Sequence, residues 1–186
     1  MFEAHPVEGS KAMGTGGLFL RKLRAKVTDR PTGFVWIEKA KLAGSGFPAS
    51  RSQLKWVRNQ GITTLLTLTE EPIPGGWLEG LDLDVHHIPM MDHSPPDKGS
   101  LREAANFLRG SIEKEKVVLV HCLAGEGRTG CALAAYLMVN ERMTAKEAME
   151  HLRIIKPQFV ERRQESALNE LEEASGLASS NRSAPD

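Results

Sequence analysis

The sequence of 186 residues predicts an α/β fold, with a central, mainly parallel sheet flanked by helices in a single domain. Two observations predict it. Short apolar and β-branched runs alternate along the chain with amphipathic helical segments, an order typical of sheets whose strands run parallel. A loop of small residues also follows the apolar run that ends at Val120. In parallel sheets the carboxyl ends of the strands are where ligands bind.

Apolar or β-branched runs predict the strands, in chain order, at 34–37, 62–69, 85–88 and from 117 onwards. Between them, segments rich in glycine and proline predict a turn-rich return at 42–48 and a loop at 70–76.

Helices are predicted where a capping residue precedes an amphipathic segment. Ser50 opens the first helix, which Gly61 closes. Ser100 opens the next, and Thr144 opens one that stops before Pro157. Two further helices are predicted, from about 128 to 140 and from 159 to 174.

Residues 31–175 carry this pattern and are predicted to form the domain. Residues 1–30 are rich in glycine and polar residues around a basic patch, so they predict an N-terminal extension that is partly flexible or docked on the domain. Residues 176–186 predict a flexible polar tail.

The charges of the chain balance, with 24 lysines and arginines against 24 aspartates and glutamates. No global field draws such a chain to nucleic acid, so no nucleic-acid partner is expected. Two cysteines, Cys122 and Cys131, are too few for a disulfide scaffold and suit a reducing compartment. No apolar run is long enough to span a bilayer, and no signal-peptide core is seen. We expect a cytoplasmic enzyme that is a monomer.

The segment 117–130 carries the clearest chemical signal: an apolar strand, a short loop, and a helix. Cys122 opens the loop and Arg128 closes it, with five residues between them, which is enough to surround one tetrahedral anion. The positive end of the helix lies beneath that anion. Amide dipoles and a guanidinium favour the thiolate of a cysteine placed there. These parts suit a cysteine nucleophile that acts on phosphate.

The pattern His121-Cys122-x5-Arg128-Thr129-Gly130 resembles the signature of the cysteine-dependent protein tyrosine phosphatases. Its surroundings, from about 33 to 170, most resemble the small atypical dual-specificity phosphatases, including compact archaeal-type ones. The resemblance implies a single phosphatase domain that uses a phosphocysteine intermediate on Cys122. Thr129 is then expected to donate its hydroxyl to the sulfur, and His121 to support the loop through a hydrogen bond. The substrate phosphate is expected to bind the arginine and the backbone amides of Leu123, Ala124, Gly125, Glu126, Gly127 and Arg128.

The leaving alcohol or phenol needs a proton from a carboxylic acid outside this loop. The resemblance points to Asp92, which follows the strand-ending Pro89 and precedes the cysteine by about thirty residues. Asp97 is the alternative general acid, although it is also expected to cap the helix near Ser100.

Other positions match the family less closely. One of Glu70 and Glu71 is expected to brace Arg128. Gln164 lies near the place of a water-orienting glutamine, one residue short of the usual spacing, and Lys156 replaces an arginine before Pro157.

Glu126 is unusual inside such a loop, and its charge predicts a bias against phosphoinositides. Cys131 is expected to be a packed apolar residue. No metal and no cofactor is expected.

The function predicted from the sequence is hydrolysis of phosphotyrosine, together with phosphoserine or phosphothreonine, in phosphorylated protein substrates. The alternatives are an inositol-phosphate, RNA 5′-phosphate or other small-molecule phosphatase that uses the same loop, and a phosphate-binding module without catalysis.

Overall fold

A computed structural model describes residues 29–175 of the chain. The tail predicted at 176–186 and all but the last two residues of the predicted N-terminal extension lie outside this range, so those predictions stay untested.

One sheet forms the centre of the domain, with the strand order β1-β2-β5-β3-β4. Every neighbouring pair is parallel except β1 and β2. The predicted fold class is confirmed, because the sheet is mainly parallel and helices flank it. The strands are β1 (Val35–Glu38), β2 (Leu42–Ser45), β3 (Thr64–Thr67), β4 (Asp84–His87) and β5 (Val118–His121).

Helices cover both faces of the sheet in the described part of the chain. They are α1 (Arg51–Asn59), α2 (Gly75–Leu78), α3 (Lys98–Glu113), α4 (Gly127–Asn140), α5 (Ala145–Ile155) and α6 (Glu165–Ser175). The first two pack with one core cluster and the other four with a second, larger one. Within residues 29–175, no helix has both the length and the apolar character needed to cross a bilayer.

The central strand β5 divides its side chains between the two core clusters. Val118 and Val120 belong to the larger cluster, and Leu119 to the smaller one. This alternation follows from the two-residue period of a strand. It continues past the strand end, so that Cys122 lies on the same side as Val120, and the position of the cysteine is therefore set by the core.

The prediction of a turn-rich return at 42–48 is wrong for its first half, which is strand β2. Leu42 to Ser45 pair in parallel with β5 and are fully buried. The sequence pattern does not predict this strand, because alanine, glycine and serine are poor strand formers. Packing explains the glycine, since a Cβ at Gly44 would lie 3.2 Å from side-chain atoms of Leu133 and Phe159.

Two of the three predicted helix caps are confirmed. Ser50 accepts a hydrogen bond from the Gln53 N–H, and Thr144 forms a reciprocal capping box with Glu147. The third helix starts earlier than predicted, because Asp97 caps it. The Asp97 carboxylate accepts from the N–H and from the hydroxyl of Ser100, at 3.0 and 2.5 Å.

The helix predicted at 159–174 is interrupted at its start. Val160 has a φ of 58°, which a β-branched residue rarely adopts, and a 3-10 turn follows before α6 begins. The chain at this point passes against α4, where a Cβ at Gly130 would lie less than 3.0 Å from the Val160 nitrogen. The Arg153 guanidinium donates to the carbonyls of Phe159 and Val160 and holds the segment there.

Candidate active site

The loop between β5 and α4 is folded around the sulfur of Cys122. The Gly125 N–H donates to Cys122 Sγ over 3.3 Å, and the cysteine is 2% exposed. Gly125 has a φ of +71°, and a Cβ on it would lie less than 3.0 Å from backbone atoms of Ser45 and Gly46. Only glycine suits this position. The folded loop therefore directs a backbone amide at the sulfur of Cys122.

Two contacts hold the outside of the loop. The Phe47 N–H donates to the Leu123 carbonyl over 3.2 Å, and Lys156 Nζ donates to the Gly125 carbonyl over 2.5 Å. Lys156 therefore supports the loop from the position where the resemblance expects an arginine. These hydrogen bonds to the Leu123 and Gly125 carbonyls stabilise the loop conformation in which the Gly125 amide points at the sulfur.

Arg128 is buried in the first turn of α4, with 1% of its side chain exposed. Its Nη1 donates to the Met90 carbonyl at 2.8 Å and pairs with Glu70 Oε2 at 2.9 Å, while Nη2 lies 2.9 Å from Asp92 Oδ1. Its Nε has no hydrogen-bond partner among the described residues. This buried donor is available to an anion bound beside the loop.

Glu70, and not Glu71, braces the arginine. Its second oxygen, Oε1, accepts the Asp92 N–H at 2.7 Å, so one carboxylate joins Arg128 to the backbone of the segment that carries Asp92. Burial raises the pKa of Glu70, but hydrogen bonds from its own backbone, from the Asp92 amide and from Arg128 outweigh burial and lower it. The carboxylate is thus held in its charged form.

Of the two candidate general acids, Asp92 is the one that the structure brings to the cavity of the cysteine. It lines the same cavity as Cys122, and its side chain is 34% exposed. Asp97, the alternative general acid, is instead the exposed cap of α3. The Ser100 hydroxyl and backbone amide lower the pKa of Asp97, as suits a capping carboxylate.

The Thr129 hydroxyl is placed differently from the expectation, whereas His121 is bonded to strand β3. The His121 ring lies on the opposite face from Cys122, and its Nε2 is 2.9 Å from Thr67 Oγ1, so the hydrogen bond joins two strands. Burial lowers the pKa of His121 to about 3, which keeps the ring neutral. The Thr129 hydroxyl has no partner within residues 29–175, and its methyl group packs beside Gly44. The predicted bond to the sulfur is therefore not seen.

Gln164 is almost fully buried beside the loop. Its Nε2 donates to the Ser94 carbonyl at 3.2 Å, and its amide is so close to Gly127 that a Cβ there would collide with it. The Cys131 thiol is 3.9 Å from Gln164 Oε1. Burial raises the pKa of Cys131 to about 12, so it remains a protonated, packed thiol.

These groups surround a cavity of about 190 Å³. Sequence reasoning missed five of the residues that line it, Thr32, Phe47, Ala49, His93 and Glu161. Recognition of β2 would have indicated Phe47, because this residue follows the carboxyl end of a strand next to β5. The lining comprises Thr32, Phe47, Ala49, Asp92, His93, Cys122, Leu123, Ala124, Glu126, Gly127, Arg128, Glu161 and Gln164.

Metal ligands do not cluster in the part of the chain that the structure covers: no three histidine, cysteine, aspartate or glutamate side chains there are grouped to hold an ion.

Comparisons with known proteins identify the family of the chain. The chain is 30% identical over 137 residues to dual specificity protein phosphatase CDC14B of Mus musculus, an alignment covering 67% of this chain and 28% of that protein. It is 29% identical to phosphatidylglycerophosphate phosphatase PTPMT2 of Arabidopsis thaliana, covering 58% of this chain and 48% of that one. The chain thus spans about a quarter to a half of the length of these relatives.

The crystal structure of Tk-PTP in its active form shares 28% identity, covers 75% of this chain and 96% of its own, and superposes with a TM-score of 0.68. The family model PTP-SAK, "Swiss Army Knife protein, DSP-PTPase phosphatase domain", matches residues 31–168. These matches confirm the resemblance seen in the sequence, and the chain belongs to the dual-specificity and tyrosine phosphatase (DSP-PTPase) family.

Proposed function

We propose that this chain hydrolyses phosphomonoesters on proteins, phosphotyrosine together with phosphoserine or phosphothreonine, through a phosphocysteine intermediate. One observation carries the proposal. Cys122, Arg128 and Asp92 line one cavity, although the acid comes from a different part of the chain than the other two. A nucleophile, an anion-binding guanidinium and a carboxyl group are the parts that phosphoryl transfer through an enzyme-bound intermediate requires.

In the first step Cys122 Sγ attacks phosphorus, the S–P bond forms, and the P–O bond to the leaving group breaks. Asp92 gives its proton to the departing oxygen. Arg128 and the loop amides hold the equatorial oxygens, whose charge they stabilise best in the transition state. Because Asp92 Oδ1 pairs with Nη2 of the arginine at 2.9 Å, the carboxyl group has to leave this ion pair when it protonates the leaving group.

In the second step water attacks phosphorus, the S–P bond breaks, and Asp92 takes a proton from the water. Inorganic phosphate and the thiolate are the products. Gln164 lines the cavity and carries an amide that can orient this water. Its Nε2 bonds the Ser94 carbonyl, which links it to the segment following Asp92.

The proposed protein substrates are supported by relatives named dual specificity protein phosphatases. A phospholipid is the second candidate, supported by the relatives named phosphatidylglycerophosphate phosphatases. The charges in the cavity argue against polyphosphorylated lipids. Glu126 and Glu161 line it beside a single arginine, and repulsion by these carboxylates is unfavourable for additional phosphates.

A substrate panel tests the proposal. Phosphate release is measured with the wild type and Cys122→Ser on a small aryl phosphate, on phosphopeptides, and on vesicles containing phosphatidylglycerophosphate. We expect turnover of the aryl phosphate and the peptides, lost in Cys122→Ser. Turnover of the lipid alone would replace the protein substrates with the second candidate. Phosphopeptide turnover that persists in Cys122→Ser would contradict the mechanism.

A further inference from the structure

We infer that Phe47 makes this site select aryl phosphates, such as phosphotyrosine, over the phosphate esters of serine and threonine. The inference rests on the proposed function and narrows its substrate class. Phe47 contributes the one phenyl ring among the cavity-lining residues that the structure describes.

The backbone places Phe47 next to the nucleophile. It follows the carboxyl end of β2, which is paired in parallel with β5, so both strands deliver their following residues to the same edge of the sheet. The hydrogen bond from its N–H to the Leu123 carbonyl, 3.2 Å long, then joins Phe47 to the residue directly after Cys122.

Neighbouring rings support the Phe47 side chain. It meets the His121 ring edge to face, with centroids 5.6 Å apart, and the tilted Trp77 ring at 6.5 Å. These neighbours cover only part of the side chain, which remains half-buried in the cavity wall. An aromatic side chain packed in this way loses little conformational entropy when a ligand contacts it.

The length of the substrate side chain determines which of its groups can contact the Phe47 ring. In phosphotyrosine an aromatic ring begins one oxygen away from phosphorus, so it lies within the cavity when the phosphate is at Cys122. In phosphoserine and phosphothreonine a single sp³ carbon separates the ester oxygen from the peptide backbone. Aromatic pairing and apolar contact with Phe47 are therefore available to the first substrate and largely unavailable to the second.

The test compares two phosphopeptides of one sequence, carrying either phosphotyrosine or phosphothreonine, with the full chain and its Phe47→Ala and Phe47→Leu variants. Phenol is intrinsically the better leaving group, since its pKa is near 10, so the informative quantity is how each substitution changes the ratio of the two kcat/KM values. Phe107→Ala is the matched control, because Phe107 is also half-buried and ring-stacked, on His86, but lies outside the cavity.

We expect Phe47→Ala to lower kcat/KM for the phosphotyrosine peptide by roughly tenfold and for the phosphothreonine peptide by less than about twofold. Phe47→Leu should lose less, and Phe107→Ala should leave the ratio unchanged. Thermal melts identify any variant that fails to fold. If Phe47→Ala is unfolded, the ratio of the two kcat/KM values is compared between the wild type and Phe47→Leu.

Equal losses on both peptides, or an unchanged ratio, would overturn the inference and leave the proposed function standing. If the wild type hydrolyses neither peptide, the proposed function itself fails, and the inference fails with it.

Discussion

Replacing Glu70 by glutamine perturbs the link between the arginine and the general-acid segment without changing the size of the side chain. The carboxylate serves two donors at once, with Oε2 2.9 Å from Arg128 Nη1 and Oε1 2.7 Å from the Asp92 nitrogen. Glutamine has one acceptor oxygen, so one of the two donors must face an amide NH₂ group. The ion pair is lost as well.

The expected cost follows from these contacts. A hydrogen bond to a charged group contributes about 1.5–3 kcal/mol, but Glu70 is 49% exposed, so solvent screening reduces the figure to about 1–2 kcal/mol. Loss of this free energy from the catalytic arrangement of Arg128 and Asp92 should decrease kcat/KM for an aryl phosphate by about 5- to 30-fold. Glu71→Gln is the matched control, because Glu71 is the adjacent exposed acid and it is Glu70 that pairs with Arg128. Equal losses in the two variants would refute the reasoning.

The lowered pKa of Glu70 adds a test by pH. The carboxylate binds its proton less readily in the folded chain than in the unfolded one, so its stabilising contribution is present above the ordinary carboxyl pKa of 4.5. It is lost as the pH falls through the lowered pKa. The difference in unfolding free energy between wild type and Glu70→Gln should therefore shrink on acidification. A difference that stays constant down to the pH at which carboxylates protonate would contradict this assignment.

Three further predictions concern single positions. Gly125→Ala should abolish measurable turnover, because a Cβ would collide with the Gly46 nitrogen and φ is +71°; near-normal kcat/KM would contradict the role assigned to the loop. Asp92→Ala should slow turnover by about 10²- to 10⁴-fold. Asp97→Ala should instead keep activity and lower the free energy of unfolding by about 1 kcal/mol. Kinetic assays and denaturant melts of both variants check this, and the reverse pattern would make Asp97 the general acid. Glu126→Lys should raise turnover of a phosphoinositide relative to a phosphopeptide, and an unchanged ratio would remove Glu126 as a determinant of specificity.

The parts of this site that the sequence predicts well are those encoded over short distances. The loop from Cys122 to Arg128 lies between a strand and a helix that are close in the chain, so spacing alone indicates an anion site. The helix N-caps are likewise predicted from residues that are close in the chain. Asp92 comes from a distant segment, and its assignment depended on the resemblance to a family.

What the sequence could not predict depends on packing between distant segments. Strand β2 is made of residues with low strand propensity, and Gly44 within it leaves room for the side chains of Leu133 and Phe159. Without β2 in the prediction, Phe47 had no reason to be placed at the cavity. The choice between Glu70 and Glu71 is likewise geometric, since both follow the same strand and one of them pairs with Arg128. The left-handed conformation of Val160 runs against the preference of a β-branched residue, so no local pattern indicates it.

The phosphocysteine intermediate is tested most sharply by the mass of the Asp92→Ala variant, quenched within one turnover of an aryl phosphate. An aryl leaving group departs with little help from an acid, whereas release of the phosphoryl group needs a base, so the intermediate should accumulate. We expect one phosphoryl group to be added and peptide mapping to locate it on Cys122. No added mass while phosphate is still released, or a phosphoryl group on another residue, would contradict this expectation.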